Sequence, residues 1–238
     1  MRLFHGLFAL LISLPLYANV TVIPVTDVKV DLENMHNASL IVKEIHISEV
    51  EIVDDLNTAP AYSYNVENYG KSLASAGKLI ALGEKIWEII KKGKPVVKDF
   101  DFKPLSVLPK TESGDIPVFE MSNWSAPKAA RFKIDYKNLW GISVVSFYYN
   151  VSFQYNGMYQ GKGAYLTGIN VTASNLEVMW GFNFDASVEV ISIANTGSIE
   201  APVASVTLKI KQTSKTVLQE VRKARNIHLN GLGEITHF

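Results

Sequence analysis

Asp99 and Asp101 stand two residues apart, so any strand that holds them presents both carboxylates on one side, a spacing that suits a calcium ion or acid/base chemistry. A calcium ion takes six or more oxygens, so the pair alone makes no site. Histidine adds little. Once residues 1–18 are set aside, His36, His46, His228 and His237 are left; none is spaced as a zinc pair and no His-Glu-x-x-His occurs. Gly-x-Ser-x-Gly is missing, which leaves no nucleophile elbow. Gly70-Lys71-Ser72 imitates the end of a phosphate-binding loop, yet Asn65 stands where that loop has its first glycine. Gly161-Lys162-Gly163 could turn backbone N–H groups toward an anion, although a bulge or a flexible hairpin accounts for it more simply. These residues assign no catalytic group, no metal and no cofactor.

Aromatic residues say more. Trp124, Trp140, Tyr148, Tyr149, Tyr155, Tyr159, Tyr165 and Trp180 crowd one region of the chain, and aromatic rings on a sheet face stack on sugars or seat apolar ligands. Most of them are expected to fill a core. Tyr148 is the exception, because alternation puts it on the polar side of its strand. Tyr148, Trp124, Trp140 and Tyr159 are the candidate ligand-binding residues.

The elements that must position them are mainly strands. Residues 20–32 alternate as a half-buried strand, and 40–53 alternate with a change of phase that calls for a bulge near Ser48-Glu49. From Ala129 onward the pattern is almost unbroken β. Ala130, Phe132, Ile134 and Tyr136 oppose Arg131, Lys133 and Asp135; then Val145, Phe147, Tyr149, Val151 and Phe153 oppose Ser146, Asn150, Ser152 and Gln154. Asn156-Gly157 predicts the hairpin turn that follows. Leu176, Val178, Trp180, Phe182, Phe184, Val188 and Val190 predict one long strand, Asn195-Thr196-Gly197 a turn, and Val206–Ile210 and Val217–Leu229 two further strands. Residues 68–92 place Leu73, Leu79, Ile80, Ile86, Trp87 and Ile90 on a wide apolar arc opposite Lys78, Lys85 and Glu88, with Lys91-Lys92-Gly93 as a stop, and so predict one amphipathic α-helix. Lys110–Pro117 reads as an exposed loop. The expected fold is mainly β, an antiparallel sandwich or barrel-like sheet pair with that helix packed against it.

Behind Arg2, the uncharged run Leu7–Leu14 followed by Pro15 and Ala18 reads as a cleavable secretory signal over residues 1–18, leaving a single β-rich domain over 19–238. There is no cysteine, hence no disulfide, thiolate nucleophile or cysteine metal site, and stability rests on packing. That absence favours a periplasmic or secreted bacterial protein, while Asn-x-Ser/Thr triplets at Asn19, Asn37, Asn123, Asn150 and Asn170 are of the number chance supplies. Lys plus Arg equal Asp plus Glu at 23 each, a balance that makes nucleic acid a poor partner. Acids gather in residues 27–67 and bases in 205–225, two segments expected to lie near one another.

Three functions fit this description. The first is an exported, non-enzymatic recognition or envelope-structural module for a glycan, an envelope polymer or a protein. The second is a membrane-active protein that inserts the hairpin 143–173, whose apolar and uncharged polar residues alternate. The third is a polysaccharide hydrolase with paired carboxylates.

Overall fold

The computed structural model describes residues 20–25, 38–53, 71–76, 78–82, 86–96 and 104–238. In chain order its strands are β1 (Val20–Pro24), β2 (Val42–Val53), β3 (Lys71–Ala76), β4 (Leu79–Leu82), β5 (Ile86–Lys91), β6 (Lys94–Pro95), β7 (Leu105–Pro109) and β8 (Met121–Ser122). There follow β9 (Lys128–Asn138), β10 (Ser143–Tyr159), β11 (Lys162–Val178), β12 (Asn183–Asn195), β13 (Ala204–Lys215), β14 (Glu220–Asn230) and β15 (Ile235–His237). One sheet runs β1-β2-β9-β10-β11-β7-β4-β3, with β8 laid beside part of β10; the other runs β15-β14-β13-β12-β5-β6. Both sheets are antiparallel and open among the described residues, so the fold is a sandwich and not a barrel.

Alternation explains why the sheets face each other. Ala130, Phe132, Ile134 and Tyr136 of β9 and Phe147, Tyr149, Val151 and Phe153 of β10 are buried, while Arg131, Lys133 and Asp135 point away. The second sheet answers with Phe184, Val188, Leu208, Ile210 and Ile227, and all join one core. Phe184 spans the gap, its ring centroid 5.4 Å from Tyr136 and 5.1 Å from Phe147. Between the sheets the Tyr136 hydroxyl donates to Gln212 Oε1 at 2.7 Å, which satisfies a phenol that burial pushes above its usual pKa range.

The predicted helix over 68–92 is not formed. Its described residues make β3, β4 and β5 and the start of the following hairpin instead, and no α-helix occurs among the described residues. The reason lies in burial. All four residues of β4 are buried, as are Trp87, Ile89 and Ile90 of β5, and strands covered on both faces read as continuous apolar runs that match a helical period by accident. Pairing of β4 with β7 and of β5 with β12 supplies the hydrogen bonds that a helix would have made internally. Lys92-Gly93 is the turn of the β5–β6 hairpin, with φ of 51° and 68°, the positive pair that a type I′ turn requires.

Two further expectations move. The β10–β11 turn lies at Gln160-Gly161, which also has positive φ at both residues, whereas Asn156-Gly157 is an irregularity inside β10. The long strand predicted through Trp180 is broken: β11 ends at Val178, residues 179–182 cross to the other sheet, and β12 begins at Asn183. The β2 bulge is present, as a register shift between Glu49 and Glu51 against β9, but Val50 stays 49% exposed and is not returned to the core. Val217–Leu229 belongs to β14 from Glu220 onward, as the strand reading expected.

Candidate functional site

The four candidate aromatic residues fall in three places. Trp124 belongs to residues 110–127, which cross the outer face of the first sheet between β7 and β9 and pair there through β8. Its indole lies on Gly157, where a Cβ would come within 2.3 Å of the ring; that close approach explains why the Asn-Gly pair is a bulge rather than a turn. Beneath Trp124, Val118 and Met121 is a cavity of about 230 Å³ floored by Leu82, Leu108, Ser106 and Thr167. It is smaller than the ~300–1,000 Å³ of ordinary ligand pockets. The Ser106 and Thr167 hydroxyls bond to each other at 2.9 Å. Tyr159 lies nearby, opposite Met121 in the β8 register.

Tyr148 is on the outer face, as alternation required, but its ring carries the Arg131 guanidinium 4.3 Å from the centroid. Lys133, opposite Tyr148 in register, sits 3.0 Å from Asp135. Burial works against the Asp135 charge, yet hydrogen bonds from Lys133, Ser146 and Ser143 outweigh it and hold the carboxyl below its usual range. Arg131 and Lys133 are thus engaged on this face, although Arg131 Nε and the Ser174 hydroxyl opposite Tyr148 on β11 have no hydrogen-bond partner among the described residues.

Trp140 lies at one end of the sandwich, and the structure gathers other residues with it. Val42 pairs with Asn138, Val145 with Val178, and Asn183 with Lys215. The connections 138–143, 179–182 and 216–219 therefore emerge at the same end, beside Ala38–Ile41. Asn138 is fully buried and shapes the first: its Oδ1 accepts the N–H groups of Trp140 at 3.1 Å and Ile142 at 2.9 Å, and its Nδ2 donates to the Ser39 carbonyl at 3.3 Å. In the third, Thr216 Oγ1 donates to the Leu40 carbonyl at 3.1 Å and Gln219 clasps Val42 twice, accepting its N–H at 2.7 Å and donating to its carbonyl at 3.2 Å. These bonds tie the two sheets together at the tip. Gly181, with φ of 90°, brings the second connection against Leu40, where a Cβ would lie 2.7 Å from Leu40 Cδ2.

What this frame displays is apolar. Trp180 is 90% exposed, Val217 88% and Trp140 56%, with Ile142, Leu218 and Met179 also exposed. Residues 138–144, 179–184 and 216–219 contain no Asp, Glu, Lys or Arg. Around them stand Lys43, Lys91, Lys92, Lys94, Lys137 and Lys215; Lys91, Lys92 and Lys94 belong to the β5–β6 hairpin, whose Gly93 N–H donates to the Phe184 carbonyl. Of the nearby acids, Asp185 accepts the Lys92 backbone N–H, Glu220 lies 3.7 Å from Lys215 and Glu88 lies 3.1 Å from Lys91, while Glu177 is exposed. Trp180, Val217 and their neighbours escape sequence reading because each fits an alternating strand; Met179-Trp180-Gly181, an aromatic residue next to a turn glycine, was the available signal.

Elsewhere the chemistry-bearing residues are committed to structure. Glu189 pairs with Lys211 at 2.7 Å, His46 with Glu44 at 2.9 Å, and His228 Nδ1 lies 3.1 Å from Thr207 Oγ1. A hydrogen bond from His46 outweighs the cost of desolvation and lowers the Glu44 pKa. His237 packs edge-on against Phe132 at 4.2 Å, and burial, then the Arg225 charge, hold its pKa down to about 4. Among the described residues no three His, Asp or Glu side chains gather as metal ligands, and no helix is long and apolar enough to cross a membrane. Gly161-Lys162 forms part of the β10–β11 hairpin and Lys71-Ser72 part of β3. His36, Asp99, Asp101 and the signal-like residues 1–18 lie outside the described residues. No family model, curated protein or solved structure matches the chain.

Proposed function

We propose that the protein is an exported, non-enzymatic binding module whose recognition surface is the uncharged loop tip. The observation that carries this is the pairing of order with exposure: Asn138, Thr216 and Gln219 fix three connections from both sheets, and those connections hold Trp140, Trp180 and Val217 in solvent. A contiguous apolar surface of this kind costs solubility and marks an interaction site. Pre-ordered loops lose little entropy on binding.

The other readings find less support. A hairpin 143–173 that enters a bilayer would have to leave the sheet, yet β10 is hydrogen-bonded on both sides, to β9 and β11. A two-carboxylate hydrolase needs one acid with its pKa raised; Glu44 and Asp135 are both shifted downward. Of the four aromatic candidates, Trp140 alone belongs to the tip; Tyr148, Trp124 and Tyr159 serve the outer face.

The test is a combined glycan-array and vesicle screen on the purified protein and on Trp140→Ser/Trp180→Ser. Binding in one arm that the double variant loses is the expected result. Binding unaffected by the variant but lost in Tyr148→Ala moves the surface to the sheet face and overturns the assignment. Release of trapped dye from vesicles would favour the inserting hairpin, and cleavage of a polysaccharide would favour the hydrolase.

A further inference from the structure

We propose that the loop tip docks the protein onto the interfacial layer of an anionic lipid bilayer, an inference that rests on the tip being the recognition surface. Three properties converge on a lipid surface. First, Trp180 and Val217, at 90 and 88% exposure, touch almost nothing of their own protein and therefore project from the end of the sandwich. Projecting apolar side chains suit a soft acceptor, and indoles favour the headgroup boundary because one part is apolar and the N–H is wet.

Second, much of the backbone of the tip is already paired from within. Asn138 takes the Trp140 and Ile142 N–H groups, the Asn138 carbonyl takes that of Gly141, and the Val144 carbonyl takes that of Met179 at 2.8 Å. Phe182 N–H reaches the Met179 carbonyl, and Thr216 Oγ1 accepts those of Leu218 and Gln219. Backbone groups entering a low-dielectric layer must find their partners inside the protein, and these have done so before any contact is made.

Third, the charge is layered. The apolar residues carry no charge, and the lysines stand behind them as a collar, with Lys92 and Lys94 exposed. A bilayer has the matching order, an acyl boundary beneath anionic headgroups, and each lysine near such a surface adds to the attraction. A second copy of the chain, meeting tip to tip, would set two lysine collars against each other.

The experiment uses the full chain with vesicles of phosphatidylcholine alone and with about 30% phosphatidylglycerol, read by flotation and tryptophan emission. The expected result is binding to the anionic vesicles with a blue shift, reduced about tenfold or more in Trp140→Ser/Trp180→Ser. Lys92→Glu/Lys94→Glu should lose about tenfold on anionic vesicles and nothing on phosphatidylcholine, and added salt should act in the same way. Ile199→Ser, an exposed apolar change at the opposite end, should alter neither. Equal vesicle binding by the wild-type chain and the tryptophan double variant overturns the inference. So does an absence of binding; in that case, wild-type self-association lost in the double variant keeps the tip as a recognition surface for a second copy, whereas no effect of the variant on either property removes both readings.

Discussion

The two ends of the sandwich use one turn device and display opposite surfaces. At the tip, the Asn138 carboxamide oxygen holds two backbone N–H groups of the β9–β10 connection. At the far end, Asn195 does the same for Gly197 at 3.0 Å and Val203 at 2.8 Å, and Asn230 for Leu232 at 3.0 Å and Glu234 at 3.1 Å. Asparagine suits these positions because its short side chain can stand in for a backbone acceptor. Yet the far-end loops carry Glu112, Asp115, Glu200 and Glu234, and their exposed Ile199 and Leu232 sit beside acids. Since the same skeleton closes the chain with polar residues at one end, the uncharged aromatic display at the other is not a demand of the fold.

Breaking the skeleton should reveal the first difference. Asn138 is fully buried, so Asn138→Ala strands two N–H groups and the Ser39 carbonyl; a loss of about 3 kcal/mol in urea unfolding is expected. Asn195 is exposed, and water can replace its carboxamide, so Asn195→Ala should cost about 1 kcal/mol. Equal losses would mean that the tip is no more firmly built than the far end. Gln219→Ala should fall between them, at about 1–2 kcal/mol, because it frees both the N–H and the carbonyl of Val42. Its hydrogen-exchange signature should be faster exchange at Val42 and at Leu218 without change at Gly197.

The strands of residues 129–178 were legible because one face of each is buried and the other wet, so residue type alternates with environment at Phe132, Ile134, Phe147 and Phe153. Where both faces are covered, as in β4, environment no longer alternates and the period carries no information; that is how three strands came to read as one helix. Trp180 failed for a related reason. Its spacing from Val178 and Phe182 is that of a strand, and only the pairing of β11 and β12 with different sheets shows that the chain turns there. Of the candidate site, Trp140 was visible as an aromatic residue, but its neighbours at the tip come from connections far apart in the chain, at 179–182 and 216–219, and periodicity is blind to that proximity.

Acid should act on the molecule away from the tip. The His237 pKa is lowered from 6.5 to about 4 in the folded protein, so the unfolded chain takes up a proton first as pH falls. The His237 contribution to stability is therefore complete above about pH 6.5 and is lost progressively toward pH 4. His237→Phe should flatten that part of the stability profile, as followed by thermal unfolding at pH 4, 5, 6 and 7; an unchanged slope would show that another group is responsible. The tip loops contain no titratable side chain, so vesicle binding should stay level over the part of this range where the protein is folded.

The smallest expected change in stability is the most discriminating. Trp180→Ser and Val217→Ser alter side chains that are 90 and 88% exposed, and Ile199→Ser alters one that is 83% exposed at the far end. None fills a cavity or satisfies a buried group, so each should stay within about 0.5 kcal/mol of the parent. Surface substitutions that leave folding untouched isolate what the surface is for. If the two ends differ as their loops imply, the tip changes should lower partition to anionic vesicles and the far-end change should not. A loss of several kcal/mol on Trp180→Ser would instead show that the indole is packed in solution, and the exposed apolar face would cease to distinguish one end of the sandwich from the other.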